Sequence, residues 1–259
     1  MASWNDFQTD TLSSMVAGVS MMTGGAGSEI HAYIARPDGE GPYPGVVLIH
    51  HVPGWDEFYR EFARRFAEHG YIAIVPNLFE QYGHGTPSEV AARARADGYP
   101  ADDAVVADAE ASAAWLRAQP SHNGKVGVIG SCSGGRHSAL IASRSNKFDA
   151  AVCLWGGGIV APPEQLSEKQ PVAPIDLAPQ LSAPMLGLFG NDDRRPSPDD
   201  VNKYEEALKA AGKTPVFVRY DGAGHGFFYY QGTSYRPEAA MDGWEKVDAF
   251  FKEHLVPAM

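Results

Sequence analysis

The chain has 259 residues, 44% of them hydrophobic, enough for a sizeable buried core in one large domain or two small ones. Its 21 lysines and arginines face 32 aspartates and glutamates, a formal charge of −11 with no block of like charge, which argues against a nucleic-acid or anionic-membrane partner. Cys132 and Cys153 are the whole cysteine complement, too few for a disulfide scaffold and without the spacing of a zinc or dithiol redox site.

The opening stretch MASWNDFQTD carries acids where a secretory leader needs a basic segment. The apolar patch from Met15 to Met22 is short and interrupted by Gly18 and Ser20, and no run approaches the roughly 18 apolar residues of a membrane helix. Cytoplasmic residence with both thiols reduced is the expectation.

EIHAYIARP (29–37) alternates apolar and polar residues and predicts an antiparallel edge strand ending at its proline. Buried strands follow at VVLI (46–49), IAIV (72–75), VGVI (126–129), AAVCLW (150–155), MLGLF (185–189) and VFVRY (216–220). Helical periodicity occupies 57–70, 102–117, 135–143, 199–211 and 239–251. Continuous Val/Ile/Leu runs separated by amphipathic helices predict an α/β fold with a mostly parallel sheet covered on both faces, because each parallel crossover lays a helix over the sheet. Ligands in such sheets bind beyond the carboxyl ends of the strands. Two long connections leave those ends, residues 79–102 and the proline-rich 156–184, and both are expected to line one rim.

The stretch GVIGSCSGGRHSAL (127–140) runs from a strand into a helix and has the layout of a nucleophile elbow, with cysteine where serine is usual. The sharp turn needs small neighbours two places to either side of its tip, and among Ser131, Cys132 and Ser133 only Cys132 has glycine at both. A thiol there sits at a helix N-terminus, where unpaired N–H groups favour the thiolate and the amide of Ser133 is placed to stabilise an oxyanion. Downstream, MLGLFGNDD ends a strand near Asp192, and VFVRYDGAGHGFF ends another near His225. Nucleophile, acid, histidine is the chain order of an α/β-hydrolase triad. Asp192 is the expected acid, with Asp193 the weaker choice; His225 would share the Cys132 proton and later activate water.

These residues resemble the dienelactone hydrolase (carboxymethylenebutenolidase) family of α/β-hydrolases with a cysteine nucleophile. The likeness spans roughly residues 29–255 and rests on GSCSGG around Cys132, GNDD around Asp192, GAGHGF around His225, and HHVPGWDEFYREFARRFAEHGYIAIVPNLF. It implies one α/β-hydrolase domain over 1–259, the triad Cys132, Asp192 and His225, and oxyanion donors from the N–H groups of Val52 and Ser133. Two positions depart from the pattern. Where bacterial members carry a glutamate that holds the resting thiol, this chain has His51, preceded by His50, which implies a different resting state such as a thiolate–imidazolium pair. Where they carry two arginines that grip a substrate carboxylate, this chain has Gln81 and Tyr229, which favours a neutral or aromatic ester or lactone.

Aromatic residues near the expected mouth, Trp55, Tyr82, Trp155, Phe227, Phe228 and Tyr229, are candidates for an apolar acyl pocket, with His51 beside them and Arg136 as a candidate anion contact. The expected activity is hydrolysis of small esters or lactones through an acyl-thioester, with no metal or organic cofactor, no nucleic-acid or membrane partner, and a monomer or small homo-oligomer. The rival is a redox-sensing or ligand-binding protein on the same fold.

Overall fold

The apolar runs become strands of one sheet in the computed structural model, which describes residues 14–257. The strands are β1 (Met15–Thr23), β2 (Glu29–Pro37), β3 (Tyr43–Ile49), β4 (Ile72–Pro76), β5 (His122–Ser131), β6 (Ala150–Leu154), β7 (Met185–Gly190) and β8 (Val216–Tyr220). They lie in the order β1-β2-β4-β3-β5-β6-β7-β8. The pairs β1/β2 and β2/β4 are antiparallel and the remaining five are parallel, so the sheet is mostly parallel, as the sequence predicts.

Two expectations change. Residues 29–37 form an antiparallel strand, but not the edge: β1 pairs along all nine of its residues with β2 and takes the outer position. Its composition hid it, because seven of its nine residues are exposed and apolar alternation has no buried face to report. The acidic opening stretch lies outside the described residues.

Six α-helices lie among the described residues, five in the crossovers and the last after β8: α1 (Glu57–Glu68), α2 (Pro87–Ala96), α3 (Asp102–Arg117), α4 (Ser133–Arg144), α5 (Pro198–Ala210) and α6 (Pro237–Leu255). Helix α2 interrupts what reads as a long connection. Its fully buried residues are only alanines, Ala91 and Ala94, yet its start is marked by a capping box in which Thr86 and Glu89 satisfy each other's backbone N–H. One sheet face packs against α3, α4 and α5 through residues such as Val105, Leu140 and Tyr204. The other packs against α1 and α6 through Tyr59, Phe66, Trp244 and Phe251. Burial of each such side chain stabilises the fold by ~1.5–3 kcal/mol. Among the described residues no helix is long and apolar enough to cross a membrane.

Candidate active site

The parallel pairing of β3 with β5 stops at Ile49 opposite Gly130. Beyond that point β5 turns sharply into α4, and Cys132 occupies the tip with φ 57° and ψ −120°, a left-handed conformation that costs a non-glycine residue of order 1–3 kcal/mol. The turn is held by Cys132 N–H donating to Leu154 O at 3.1 Å, and Arg136 N–H and Gly157 N–H both donate to Cys132 O. A Cβ at position 134 would press into the carbonyls of Ile49 and His50, and one at position 130 into the carbonyl of Gly134. The glycines on either side of Cys132 are therefore required by the close approach of backbone, as the sequence argument demands.

His225 follows β8 in a loop held against the end of β7, where Asp192 N–H donates to Ala223 O at 2.9 Å. Its Nδ1 donates to Asp193 Oδ2 at 2.8 Å. The carboxylate in contact with His225 is thus Asp193 and not the expected Asp192. Asp192 is exposed, whereas Asp193 is 6% exposed, and its second oxygen accepts the N–H of Arg195 at 2.8 Å. After Gly190 the chain leaves the strand in a turn, with Asp193 N–H donating to Gly190 O, and the turn rather than strand alternation decides which of two adjacent carboxylates points inward. Asp221 is engaged by Asn191 Nδ2 at 2.6 Å. Burial opposes a charge on His225, but hydrogen bonds to Asp193 and Cys132 and their negative charge outweigh it and push the imidazole up to about 10.

Cys132, Asp193 and His225 share a cavity of about 530 Å³ with Val52 and Ser133, the two residues expected to offer oxyanion N–H groups. Ser133 is the first residue of α4, so its N–H has no partner within the helix. Both long connections reach the same rim: Phe79, Tyr99 and Pro100 from one, Gln165, Leu166 and Gln170 from the other.

Arg136 lines the cavity, but His51 and the aromatic residues expected to bind substrate lie outside it. Trp155 and Phe227 are buried and pack against each other, their ring centroids 4.7 Å apart and tilted by 56°, in the core between the sheet and α6. Phe228 joins them, and Trp55 donates its indole N–H to Val75 O under the guanidinium of Arg60. Tyr82 packs behind Phe79, Tyr229 covers His51 and Phe58, and none of these side chains lines the cavity. His51 is turned away to Asp56, its Nε2 donating to Oδ2 at 2.8 Å. The neighbouring His50 lines the cavity instead. Its Nδ1–H donates to His51 O at 3.1 Å and its Nε2 accepts from Leu78 N–H at 3.2 Å, and burial drives its pKa down to about 4, so it stays neutral and ties the two loops together.

Arg136 is not a solvated helix-surface residue. It is 6% exposed and makes a two-pronged pair with Asp102 at 2.6 and 2.9 Å, with His137 Nε2 donating to the same carboxylate at 3.2 Å. Lining residues that the sequence did not single out include Leu78, Phe79, Tyr99, Val105, Arg194 and Arg195. The first long connection signalled Phe79 and Tyr99, and Tyr99 carries a local mark too, following a glycine and itself left-handed at φ 66°; Leu78 just after β4, Val105 on α3, and Arg194 and Arg195 after β7 carried no such signal.

A strained cysteine at a strand-to-helix turn, backed by an aspartate-held histidine, is architecture that known proteins can be compared with. The sequence model described as "Dienelactone hydrolase family" matches residues 30–255. The chain is 34% identical over 233 residues to a "Putative carboxymethylenebutenolidase" of Escherichia coli, covering 88% of this chain and 84% of that one. It is 33% identical over 238 residues to a protein of the same name in Yersinia pestis, covering 90% and 87%. The crystal structure of a "Putative Dienelactone Hydrolase" from Klebsiella pneumoniae superposes with a TM-score of 0.85 at 32% identity, covering 93% of this chain and 99% of that one. The family model, the sequence relatives and the solved structure agree: the chain is an α/β-hydrolase that belongs to the dienelactone hydrolase family, enzymes that hydrolyse ester or lactone bonds.

Proposed function

We propose that the chain, acting as one domain, hydrolyses small esters or lactones through an acyl-thioester on Cys132. The observation that carries this reading is the 2.8 Å hydrogen bond that fixes His225 on Asp193 in the cavity that also holds Cys132. The Cys132 sulfur attacks the substrate carbonyl carbon, and the C=O electron pair moves to oxygen, where the N–H groups of Val52 and Ser133 receive it. The oxyanion collapses, the C–O bond to the leaving group breaks, and the proton held by His225 passes to the departing alkoxide. Water then attacks the thioester carbon and gives its proton to His225. The C–S bond breaks, releasing the acid and restoring the sulfur. Asp193 keeps the imidazole oriented and stabilises its charge.

The apolar walls, Leu78, Phe79, Tyr99 and Val105, suit an aryl or short alkyl group. A second reading, that the substrate carries an anionic group, is favoured by Arg194 and Arg195, which line the cavity exposed and have no ion-pair partner among the described residues. Turnover of neutral aryl esters set against their carboxylated analogues separates the two.

The decisive test is turnover of p-nitrophenyl acetate. Cys132→Ala should abolish it with the fold intact, and Asp193→Asn should lower kcat about 10³-fold or more, while Asp192→Asn stays within about twofold of wild type. Full activity in Cys132→Ala would reject the nucleophile. The redox-sensing alternative would gain if no ester were turned over while peroxide modified Cys132 selectively.

A further inference from the structure

We propose that Tyr59 is a positioning residue for the oxyanion hole, acting through Ser131. The inference rests on the function proposed above. Val52 and Ser133 offer their N–H groups from different segments, and the β3/β5 ladder that could keep those segments in register ends at Ile49 and Gly130, before either residue. Something else must hold the loop after β3 against the elbow after β5.

The first turn of α1 is in contact with both. On the elbow side, the Tyr59 hydroxyl accepts the N–H of Ser131 at 3.0 Å, leaving its own proton to donate to Ser131 Oγ at 2.9 Å. Ser131 is two residues before Ser133, and Tyr59 is 0% exposed, so water cannot substitute for either bond. On the loop side, Asp56, the N-cap of α1, accepts the Tyr59 N–H at 3.3 Å with one oxygen and the His51 Nε2 proton at 2.8 Å with the other. The His51 ring also packs edge-on against Tyr59 at 5.1 Å, and His51 immediately precedes Val52. A single helical turn thus sets the spacing of the two segments. Stabilisation of a developing oxyanion falls steeply with donor misplacement, and deleting one donor outright costs ~10²–10³ in kcat. Loosening both at a distance should cost less than that.

The test compares two reactions of the same sulfur. Acylation by p-nitrophenyl acetate passes through an oxyanion. Alkylation by iodoacetamide does not, since the C–S bond forms as iodide leaves. Cys153 is fully buried with its thiol pushed up to about 12, so alkylation reports Cys132. Tyr59→Phe should lower the acylation rate and kcat about 10- to 100-fold with KM within about threefold, while the alkylation rate stays within about twofold of wild type. Ser131→Ala keeps the backbone bond to Tyr59, so it should fold normally and lose about two- to fivefold in acylation alone. Added to Tyr59→Phe it should cost nothing more.

Equal losses in acylation and alkylation would overturn the proposal, because Tyr59 would then be acting on the sulfur. So would wild-type acylation in Tyr59→Phe, or full additivity of the two substitutions. If Tyr59→Phe did not fold, the acylation-to-alkylation ratio of Ser131→Ala would decide alone. Retained turnover in Cys132→Ala would sink the underlying function. An inactive Cys132→Ala beside an undiminished Tyr59→Phe would sink only the positioning role.

Discussion

Two neighbouring pairs and one tryptophan show how much a single position matters. Asp192 and Asp193 are chemically identical, and His50 and His51 nearly so, yet in each pair one side chain lines the cavity and the other does not. Trp155 begins where β6 ends, and its left-handed φ of 37° sends the ring into the core beneath the site rather than the cavity. His50 carries a thermodynamic consequence. It is buried, faces His51, Asp56 and His137, and has its pKa lowered from 6.5 to about 4, chiefly by burial. The unfolded chain therefore binds a proton more readily below pH 6.5 than the folded one does. Stability contributed by keeping His50 neutral is fully present above pH 6.5 and is lost as pH falls toward 4, by about 3 kcal/mol. Urea unfolding of the wild type and of His50→Gln at pH 7, 5.5 and 4 should show the wild type losing that much more than the variant. Parallel pH slopes would refute the assignment.

At the scale of elements, the central parallel strands were legible as continuous apolar runs buried on both faces, and the larger helices by a buried face of the right period; β8, only half-buried, still begins and ends where VFVRY does. The elbow was legible for a different reason: its glycines answer a close approach of backbone that no side chain survives. Illegible were β1, with seven of nine residues exposed, and α2, with an all-alanine buried face. The cavity walls were legible only as a location, since a pocket residue is chosen by what the loops fold against and not by a period. Gly134 puts the elbow argument to a quantitative test. Alanine in the first turn of a helix would ordinarily stabilise it by ~1 kcal/mol relative to glycine. Here the added methyl would drive into the Ile49 and His50 carbonyls, a clash that only a shift of β3 against α4 relieves. We expect Gly134→Ala to be destabilised by about 3 kcal/mol and to lose ester turnover, because the displaced carbonyls are those of the last residue of β3 and the first of the loop that carries Val52. A melting temperature at or above wild type would mean that the strand and helix are not in obligatory contact.

For the whole molecule, the net charge of −11 disguises where charge is concentrated and sealed. Asp102 at the start of α3, Arg136 and His137 on α4, and the segment 156–184 meet at one buried cluster. Arg136 Nη2 donates to Val172 O at 2.8 Å, and Asp102 N–H donates to Lys169 O at 2.8 Å. Lys169 in turn pairs with Asp97 at 2.5 Å beside the loop that presents Tyr99. The two long connections are therefore fastened to the helix that carries the elbow and to each other. Burial opposes ionisation of Asp102, but its bonds to Arg136 and His137 hold it below the ordinary carboxylate range, so removing Arg136 takes from a buried charge the two side-chain hydrogen bonds that Arg136 gives it and leaves the one from His137. Breaking such a pair costs about 3–5 kcal/mol, whereas replacing both members by packed hydrophobic residues is often close to neutral. Arg136→Met should lose that much in urea unfolding. It should also become sensitive to proteolysis within 156–184 and raise KM more than it lowers kcat, since the walls loosen while Cys132 keeps its turn. The double variant Asp102→Leu/Arg136→Met should recover more than half of the lost stability but not the KM, because no donor then reaches Val172 O. Recovery of both together would show that the pair only fills space, and loss of kcat alone would place its effect at the elbow instead of the walls.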